Sequence, residues 1–226
     1  MTPAIQRATL QRSAAINGGN RAHRAYGAIR KMILSRQLVG GEILSEERLA
    51  ADLAISRTPV REALLLLQNA GLIQKEVNQP FRVRLVSNRE YFQSMRLREL
   101  LEGEAIGMAI DKIEPDALTN VEEAMLALKA NPDLPAEAHW AADERLHEMI
   151  ADASGSDVMA NVIRDLRVTT RLFELSGLPS RFRPDTAEHL HIIDSVRTGD
   201  AKTAQDTIRG HIRSLANDVL DFMAKM

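Results

Sequence analysis

The alternation of apolar and polar residues from Ser45 to Lys75 predicts two short helices separated by a tight polar break. Ser45 can cap the first helix, whose first turn is acidic, as the helix dipole favours. Ser56 offers a second cap, and Pro59 falls in the next first turn, where its missing N–H costs nothing. The second helix then has three aliphatic residues at i, i+4 and i+7, which predict one apolar face: Val60, Leu64 and Leu67.

Arg57, Thr58 and Arg61 lie at the N-terminal end of the second helix, away from its apolar face. Two helices joined by a short turn, the second opening with exposed Arg and Thr, are typical of a helix-turn-helix. Arginine is well suited to the O6 and N7 atoms of guanine, so these three residues are candidates for base readout. On spacing alone, a surface helix pair with solvated arginines stays open as the alternative.

Two β-prone runs follow the second helix, Leu72–Lys75 and Phe81–Leu85, with the turn residues Asn78-Gln79-Pro80 between them. A strand, a turn and a basic strand after a recognition helix predict a wing that can lie beside the phosphate backbone. Four further basic residues are weaker candidates for phosphate contact: Arg48, Lys75, Arg82 and Arg84.

The segment from Tyr26 to Val86 resembles the winged helix-turn-helix of the GntR superfamily of bacterial transcription regulators. The resemblance rests on two apolar residues of a leading helix, on Gly41, and on the runs LSEERLAADLAISRTPVREAL and LQNAGLI. The two apolar residues are Ile29 and Ile33. Wings in that family usually carry glycine at the tip, where this chain has Asn78-Gln79-Pro80. The resemblance implies that the first part of the chain binds DNA.

The charge distribution differs between the two parts of the chain. Residues 1–86 hold 13 Lys and Arg against 6 Asp and Glu, whereas residues 87–226 hold 16 against 25. A basic first part predicts contact with a polyanion. The lack of cysteine excludes disulfides, thiolate metal sites and cysteine nucleophiles. We also expect a cytoplasmic protein, because no apolar run approaches the roughly 20 residues of a membrane span and no secretion signal is evident.

We predict a flexible tail over residues 1–22, a winged helix-turn-helix over 23–86 and an all-helical domain over 87–226. A first helix is expected over residues 25–35. From Asn88 onward no strand pattern occurs, and helical periods are separated by Pro, Gly and Asn. They predict an antiparallel bundle and a fold that is mainly α. The predicted bundle helices are residues 88–112, 115–130, 135–153, 157–176, 185–198 and 200–225.

Four residues with metal-binding side chains fall inside the apolar arcs of three of these helices. Asp143 and His147 are at i and i+4 and converge on one point, where burying them without a partner would cost several kcal/mol. His189 lies among apolar residues of the next-to-last helix, and His211 faces inward on the last. Together they could supply nitrogen and oxygen ligands to one divalent cation. The alternative for each histidine alone is a hydrogen-bonded core residue.

Residues 88–226 resemble the all-helical FCD effector domain of FadR-like GntR regulators. The resemblance rests on the runs DERLHEMI and EHLHIIDSVRTGDAKTA and on the closing His211. In that family the Asp and His of a D-x-x-x-H motif and two later His residues bind a metal, commonly zinc or nickel. The resemblance implies that four residues hold such a metal here: Asp143, His147, His189 and His211.

These inferences predict a ligand-responsive transcription regulator that binds a palindromic double-stranded DNA operator as a homodimer. Its effector would be a small carboxylate or a sugar acid held by the metal. Arg98 is a further candidate for effector contact, with a solvent-exposed ion pair to Glu102 as the alternative. Two other classes stay open: a metalloenzyme, in which Glu144, Glu148 or Asp218 could act as a base, and a metal-independent dimerisation module.

Overall fold

The computed structural model describes residues 20–176, 178 and 180–225 of the chain, which forms two compact units that divide between Leu85 and Val86. The predicted fold class is confirmed, because both units are mainly helical and strands are few among the described residues. The predicted flexible tail lies, up to residue 19, outside the described residues. No helix in the described part of the chain is long and apolar enough to cross a membrane.

The first helix, α1, extends to residue 34 and is already helical at residue 20. The predicted start at residue 25 is therefore wrong, and residues 20–22 belong to this helix and not to a tail. The reason is packing: Ala22 and Ala25 are buried and continue the stripe formed by Ile29 and Ile33 towards the N-terminus. Their spacing of three and four residues keeps all four side chains on one helix face.

The predicted helix pair follows as α2 (Glu46–Asp52) and α3 (Arg57–Asn69). The hydroxyl of Ser45 accepts a hydrogen bond from the backbone N–H of Arg48 at 3.3 Å and so caps α2. Ala54 has a φ of +52°, a left-handed conformation that turns the chain between the helices. The three predicted residues of the apolar face of α3 are fully buried: Val60, Leu64 and Leu67.

A two-stranded antiparallel sheet forms the wing, with strands β1 (Ile73–Gln74) and β2 (Arg82–Val83). Ile73 pairs with Val83, and both side chains are buried against the unit. Both strands are shorter than the predicted β-prone runs. At the tip, Asn78 has a φ of +61°, and asparagine is among the residues that tolerate this conformation in place of glycine.

Six helices make up the second unit within the described residues. They are α4 (Asn88–Ala109), α5 (Pro115–Ala130), α6 (Ala136–Ala153), α7 (Asp157–Glu174), α8 (Phe182–Arg197) and α9 (Ala201–Met223). Five of them begin within one residue of the predicted start. Helix α8 begins at Phe182, earlier than predicted, because Pro184 fits the first turn of a helix, where no N–H is needed.

Helix α4 lies at the centre of this unit, since it packs against α6, α7 and α9. The ring of Tyr91 on α4 stacks on Phe173 of α7, with centroids 4.2 Å apart and planes 21° apart. Helix α8 packs against α5 and α9. This arrangement brings one buried face each of α4, α6, α8 and α9 to the same region of the core.

Candidate DNA-reading surface and metal centre

The three predicted base-reading residues lie at the start of α3, and all three are exposed. The Arg61 guanidinium forms a two-pronged ion pair with Glu46 of α2, with N···O distances of 3.0 and 2.8 Å. Its hydrogen bond lowers the pKa of the Glu46 carboxyl. Arg57 forms a single ion pair with Glu47, the next residue of the same turn. The acidic first turn of α2 therefore lies beside both arginines of α3, a contact that the sequence patterns did not suggest.

Two of the weaker phosphate candidates, Arg48 and Lys75, are exposed. Arg48 lies 3.3 Å from the carboxylate of Glu42. The ammonium group of Lys75 lies over the ring of Phe81, 4.7 Å from its centroid. Both side chains can exchange these partners for phosphate, because contacts between exposed groups are weak.

The other two phosphate candidates, Arg82 and Arg84, are half-buried beside the wing. Each donates a hydrogen bond of 3.3 Å to a backbone carbonyl, Arg82 to Gly41 and Arg84 to Gly71. Both side chains are thus tied to their own unit in this structure. Contact of all seven basic and hydroxyl candidates with DNA stays a prediction.

In the second unit, the Nε2 atoms of three buried histidines, each from a different helix, lie close together. His189 Nε2 lies 3.4 Å from His147 Nε2 and 3.2 Å from His211 Nε2. Asp143 joins them, since its Oδ1 lies 3.6 Å from His147 Nε2 and 3.4 Å from His189 Nε2. The three histidines therefore form one group whose geometry could hold a metal ion, and Asp143 lies beside two of them, His147 and His189.

Two carboxylates determine which ring nitrogen of these histidines carries the proton. Glu102 of α4 is hydrogen-bonded to Nδ1 of His147, and Glu188 of α8 to Nδ1 of His211 at 2.7 Å. Burial opposes ionisation of Glu102, but Arg98 and His147 outweigh it and lower its pKa, so its carboxylate only accepts. The Nδ1 atoms must then donate, which leaves the lone pair of each Nε2 directed at the cluster.

The cluster therefore holds more hydrogen-bond acceptors than donors. His147 and His211 present lone pairs, Asp143 presents a carboxylate oxygen, and His189 has at most one N–H to offer there. Burial and the nearby Arg167 lower the pKa of His147 to about 4, so this imidazole is neutral at pH 7. Burial and the neighbouring His211 also hold the pKa of His189 well below its usual value.

Asp143 stays ionised because two arginines of α7 hold its outer oxygen. Arg167 and Arg171 lie 2.7 and 2.8 Å from its Oδ2. Burial alone would raise the pKa of this carboxyl, but the two guanidinium groups keep it well below its usual range. Its other oxygen, Oδ1, remains directed at the histidines. Sequence patterns missed these arginines, although their spacing of four residues on one helix face offered a signal.

The donor set and its dimensions fit a zinc-type ion. Imidazole nitrogens with one carboxylate oxygen are typical zinc and nickel ligands. Ligand atoms of a tetrahedral site with bonds of about 2.0–2.1 Å lie about 3.3–3.4 Å apart, close to the 3.2–3.6 Å that separate four pairs of these atoms. The carboxylates on the far nitrogens of His147 and His211 match the partners that orient metal-bound histidines.

Arg98 and Glu102 form a buried ion pair at 2.7 Å, with both side chains less than 5% exposed. The alternative of a solvent-exposed pair is therefore wrong. Arg98 also donates to the hydroxyl of Thr170 at 3.0 Å. A sequence signal existed: both residues continue the spacing of the buried residues Met95 and Ile106 along α4. Direct contact of Arg98 with an effector stays a prediction.

A small cavity adjoins the cluster between α5, α6, α7 and α8. Its volume is about 20 Å³, room for roughly one or two water molecules. Asp143 and His189 form the wall that it shares with the cluster. The rest of the lining includes groups that sequence patterns did not single out for this site: His139, Trp140, Asp185 and Thr186, together with Met125, Leu128, Arg171 and Phe182.

Two family models match the chain and together cover both units. The model of bacterial regulatory proteins of the gntR family matches residues 21–83, and the FCD domain matches residues 93–214. The chain belongs to the GntR family of transcription regulators, with an FCD domain. The resemblance found in the sequence is thus confirmed, and the metalloenzyme alternative is wrong, because the family's members are regulators.

Relatives of this GntR regulator extend over nearly its whole length. An HTH-type transcriptional regulator in an unstable DNA locus of Streptomyces ambofaciens is 28% identical over 205 residues, 90% of this chain and 86% of the relative. The solved structure of Escherichia coli McbR/YncC has a TM-score of 0.73 and 20% identity, and it covers 89% of this chain and 98% of its own. These values show a shared fold.

The helical unit of the regulator also has a counterpart solved by itself. The Zn²⁺-bound FCD domain of TM0439 matches with a TM-score of 0.53 and 17% identity, over 63% of this chain and 99% of its own. At this identity the likeness shows that the fold of the FCD domain is the same.

Proposed function

We propose that this GntR regulator binds a palindromic DNA operator as a homodimer and changes its operator affinity when a small carboxylate or sugar acid binds a metal in the FCD domain. The observation that carries the proposal is the cluster of Asp143, His147, His189 and His211, in which lone pairs and a carboxylate oxygen face one another. Such a set of acceptors is stabilised by a cation at its centre.

Zinc or nickel is the ion that we propose for this site. Both accept imidazole nitrogen and carboxylate oxygen, and the FCD domain of TM0439 is described as Zn²⁺-bound. Asp143 and the three histidines would hold the ion. It would supply positive charge and, with coordination expanded beyond the four side chains, a position that a carboxylate can take.

The adjoining cavity supports an effector that binds next to these residues. It shares Asp143 and His189 with the cluster, so a molecule inside it lies within reach of the ion. Because its volume is only about 20 Å³, an organic acid has to displace lining side chains as it enters. Effector binding would therefore be linked to a rearrangement around α6 and α8, and such a link is what a switch requires.

DNA readout is assigned to Arg57, Thr58 and Arg61, with Arg48, Lys75, Arg82 and Arg84 on the phosphates. One winged unit makes too few contacts for tight binding at physiological salt, so two copies would read the two halves of a symmetric site. For the dimer interface we propose the outer face of α4. Three large apolar side chains there are between 38% and 48% exposed and share one face: Leu97, Leu100 and Met108.

The effector can alter DNA binding only if it favours one of two arrangements of the protein. A typical coupling free energy of about 1–3 kcal/mol would change operator affinity by roughly 5- to 150-fold. The sign of this change, repression or activation, depends on which arrangement the acid stabilises.

Calorimetry on full-length protein tests the proposal. Acetate, succinate and gluconate are titrated into the zinc-loaded protein and into the same protein after chelation. We expect at least one acid to bind only the loaded form and to shift affinity for an operator selected from random duplexes. Equal binding of the acids by both forms would instead identify a metal-independent effector or dimerisation domain.

A further inference from the structure

We propose that His139 and Thr186 select the effector, and that they favour an acid carrying a hydroxyl group over one carrying a second carboxylate. The inference rests on the proposed function, because it takes the effector's first carboxylate to be held at the metal cluster. The proposed selection concerns the part of the effector that lies away from this carboxylate. The two residues line the cavity away from the cluster and have acceptors, but no donors, to give to a ligand.

His139 lies one helical turn before Asp143 on α6, on the same face. Its side chain is 5% exposed, and its ring stacks on Phe182 with centroids 4.2 Å apart and planes 10° apart. A backbone hydrogen bond to Pro132 occupies one ring nitrogen. The other, Nε2, is buried and has no hydrogen-bond partner among the described residues.

This nitrogen is an acceptor. Burial lowers the pKa of His139, so the ring is neutral at pH 7 and carries a single proton. The carbonyl of Pro132 takes that proton in a hydrogen bond, which leaves the lone pair of Nε2 for a ligand. A buried acceptor without a partner costs free energy, and a ligand that supplies an O–H recovers it.

Thr186 lies about one helical turn before His189 on α8, and it is also buried. Its hydroxyl donates to the backbone carbonyl of Phe182 at 2.7 Å. With its single proton committed, the oxygen of Thr186 can only accept. Asp185 also lines the cavity, and burial raises its pKa to about 8, so at pH 7 its carboxyl is protonated and can both donate and accept a hydrogen bond.

Among the described residues that line this cavity, Arg171 is the one arginine or lysine, and its guanidinium already has carboxylate partners. It lies 2.8 Å from Asp143 and 3.2 Å from Glu174. A second carboxylate of a ligand would therefore be buried without a free cation beside it, at a cost that neutral donors such as the Asp185 carboxyl and the Trp140 N–H offset only in part. A hydroxyl about one helical turn from the first carboxylate would satisfy His139 or Thr186 instead.

Calorimetry with three matched four-carbon acids tests this inference on zinc-loaded, full-length protein: butyrate, γ-hydroxybutyrate and succinate. The terminal hydroxyl is too far from the carboxylate to chelate the same ion readily, so it reports on the cavity. One good hydrogen bond corresponds to about a tenfold change in Kd. We expect γ-hydroxybutyrate to bind about tenfold more tightly than butyrate, and succinate to bind no more tightly than butyrate.

Variants assign the effect to the two side chains. His139→Phe keeps the ring stack and removes the acceptor, and Thr186→Val removes the hydroxyl at almost constant shape. Each should weaken γ-hydroxybutyrate severalfold and leave butyrate unchanged, whereas His139→Gln, which retains an acceptor, should restore part of the preference. Thr119→Val is the matched control, because Thr119 makes the same hydroxyl-to-carbonyl bond on exposed α5, to Pro115 at 2.9 Å.

The outcomes separate this inference from the proposed function. If the acids bind the loaded protein but rank equally, or if succinate binds most tightly, the selection by His139 and Thr186 is overturned and the metal-anchored carboxylate stands. If none of the acids in this or the previous titration needs the metal, the proposed function fails and this inference fails with it.

Discussion

Nδ1 of His147 is hydrogen-bonded to the carboxylate of Glu102, which lies 45 residues earlier in the chain. Glu102 is in turn paired with Arg98, one turn before it on α4. A candidate metal ligand is thus held by an ion pair on a helix that supplies no ligand itself. This relationship connects the buried ion pair of α4 to the candidate metal site of the FCD domain.

Glu102→Gln should lower zinc affinity by about 10- to 100-fold, the usual cost of losing a carboxylate behind a metal-bound histidine. A competition titration against a chromogenic chelator measures this. Glu104→Gln is the matched control, since Glu104 is exposed on the same helix. Equal zinc affinity of the Glu102 and Glu104 variants would show that the hydrogen bond does not support the site.

Glu102→Ala should also destabilise the zinc-free protein, by about 3–5 kcal/mol, because it leaves the guanidinium of Arg98 buried without a counter-charge. Urea unfolding of chelated protein gives the free energy of unfolding directly. Adding Arg98→Met to this variant should recover part of the loss. A cost below about 1 kcal/mol for Glu102→Ala would mean that Arg98 finds another partner or water.

Part of this site could be predicted from sequence, because helical spacing alone places His147, His189 and His211 on buried faces. The partners of these residues could not, since a single helix pattern says nothing about which faces of two helices meet. Asp143 is held by arginines 24 and 28 residues away. The alternative of a surface ion pair between Arg98 and Glu102 is wrong, because both residues continue an apolar stripe of α4 and are buried with it.

The helix-turn-helix was predictable for the same reason, since the Ser45 cap and the apolar face of α3 are local features. Ser56 stands at the N-cap position of α3 as predicted, but its side chain makes no cap hydrogen bond. The conformations of the two turns in this unit could not be predicted in this way, because local chemistry permits several backbone conformations there. Ala54 and Asn78 adopt positive φ values at the helix turn and at the wing tip. The early start of α1 depends on burial of Ala22, a small residue with a weak apolar signal.

Arg61→Ala should cost about 1–3 kcal/mol in binding to the selected operator and should relax base preference at one position of each half-site. Arg84→Ala should instead weaken all sequences alike and flatten the salt dependence, as loss of a phosphate contact does. Mobility-shift titrations at several salt concentrations distinguish the two, and melting curves of both variants control for folding. Unchanged operator binding of Arg57→Ala and Arg61→Ala would refute the assignment of α3.

Asp185→Asn should make the stability of the zinc-free protein less dependent on pH. Burial raises the pKa of Asp185 to about 8 from 3.8, although Arg181 opposes the shift. The folded state therefore holds this proton more firmly than the unfolded state, so its contribution is full below about pH 4 and is lost as pH rises towards 8. Urea unfolding from pH 5 to 8 should show the wild type losing stability relative to the variant; parallel curves would contradict it.

We propose above all that Asp143 and the three histidines form one metal site. Zinc competition titration of full-length protein, with metal content measured after desalting, tests it most directly. We predict one tightly bound zinc per chain, lost from His147→Ala, His189→Ala and His211→Ala but retained by His191→Ala, whose side chain is exposed on α8. Zinc bound with equal affinity and stoichiometry by the wild type and all four variants would contradict the claim.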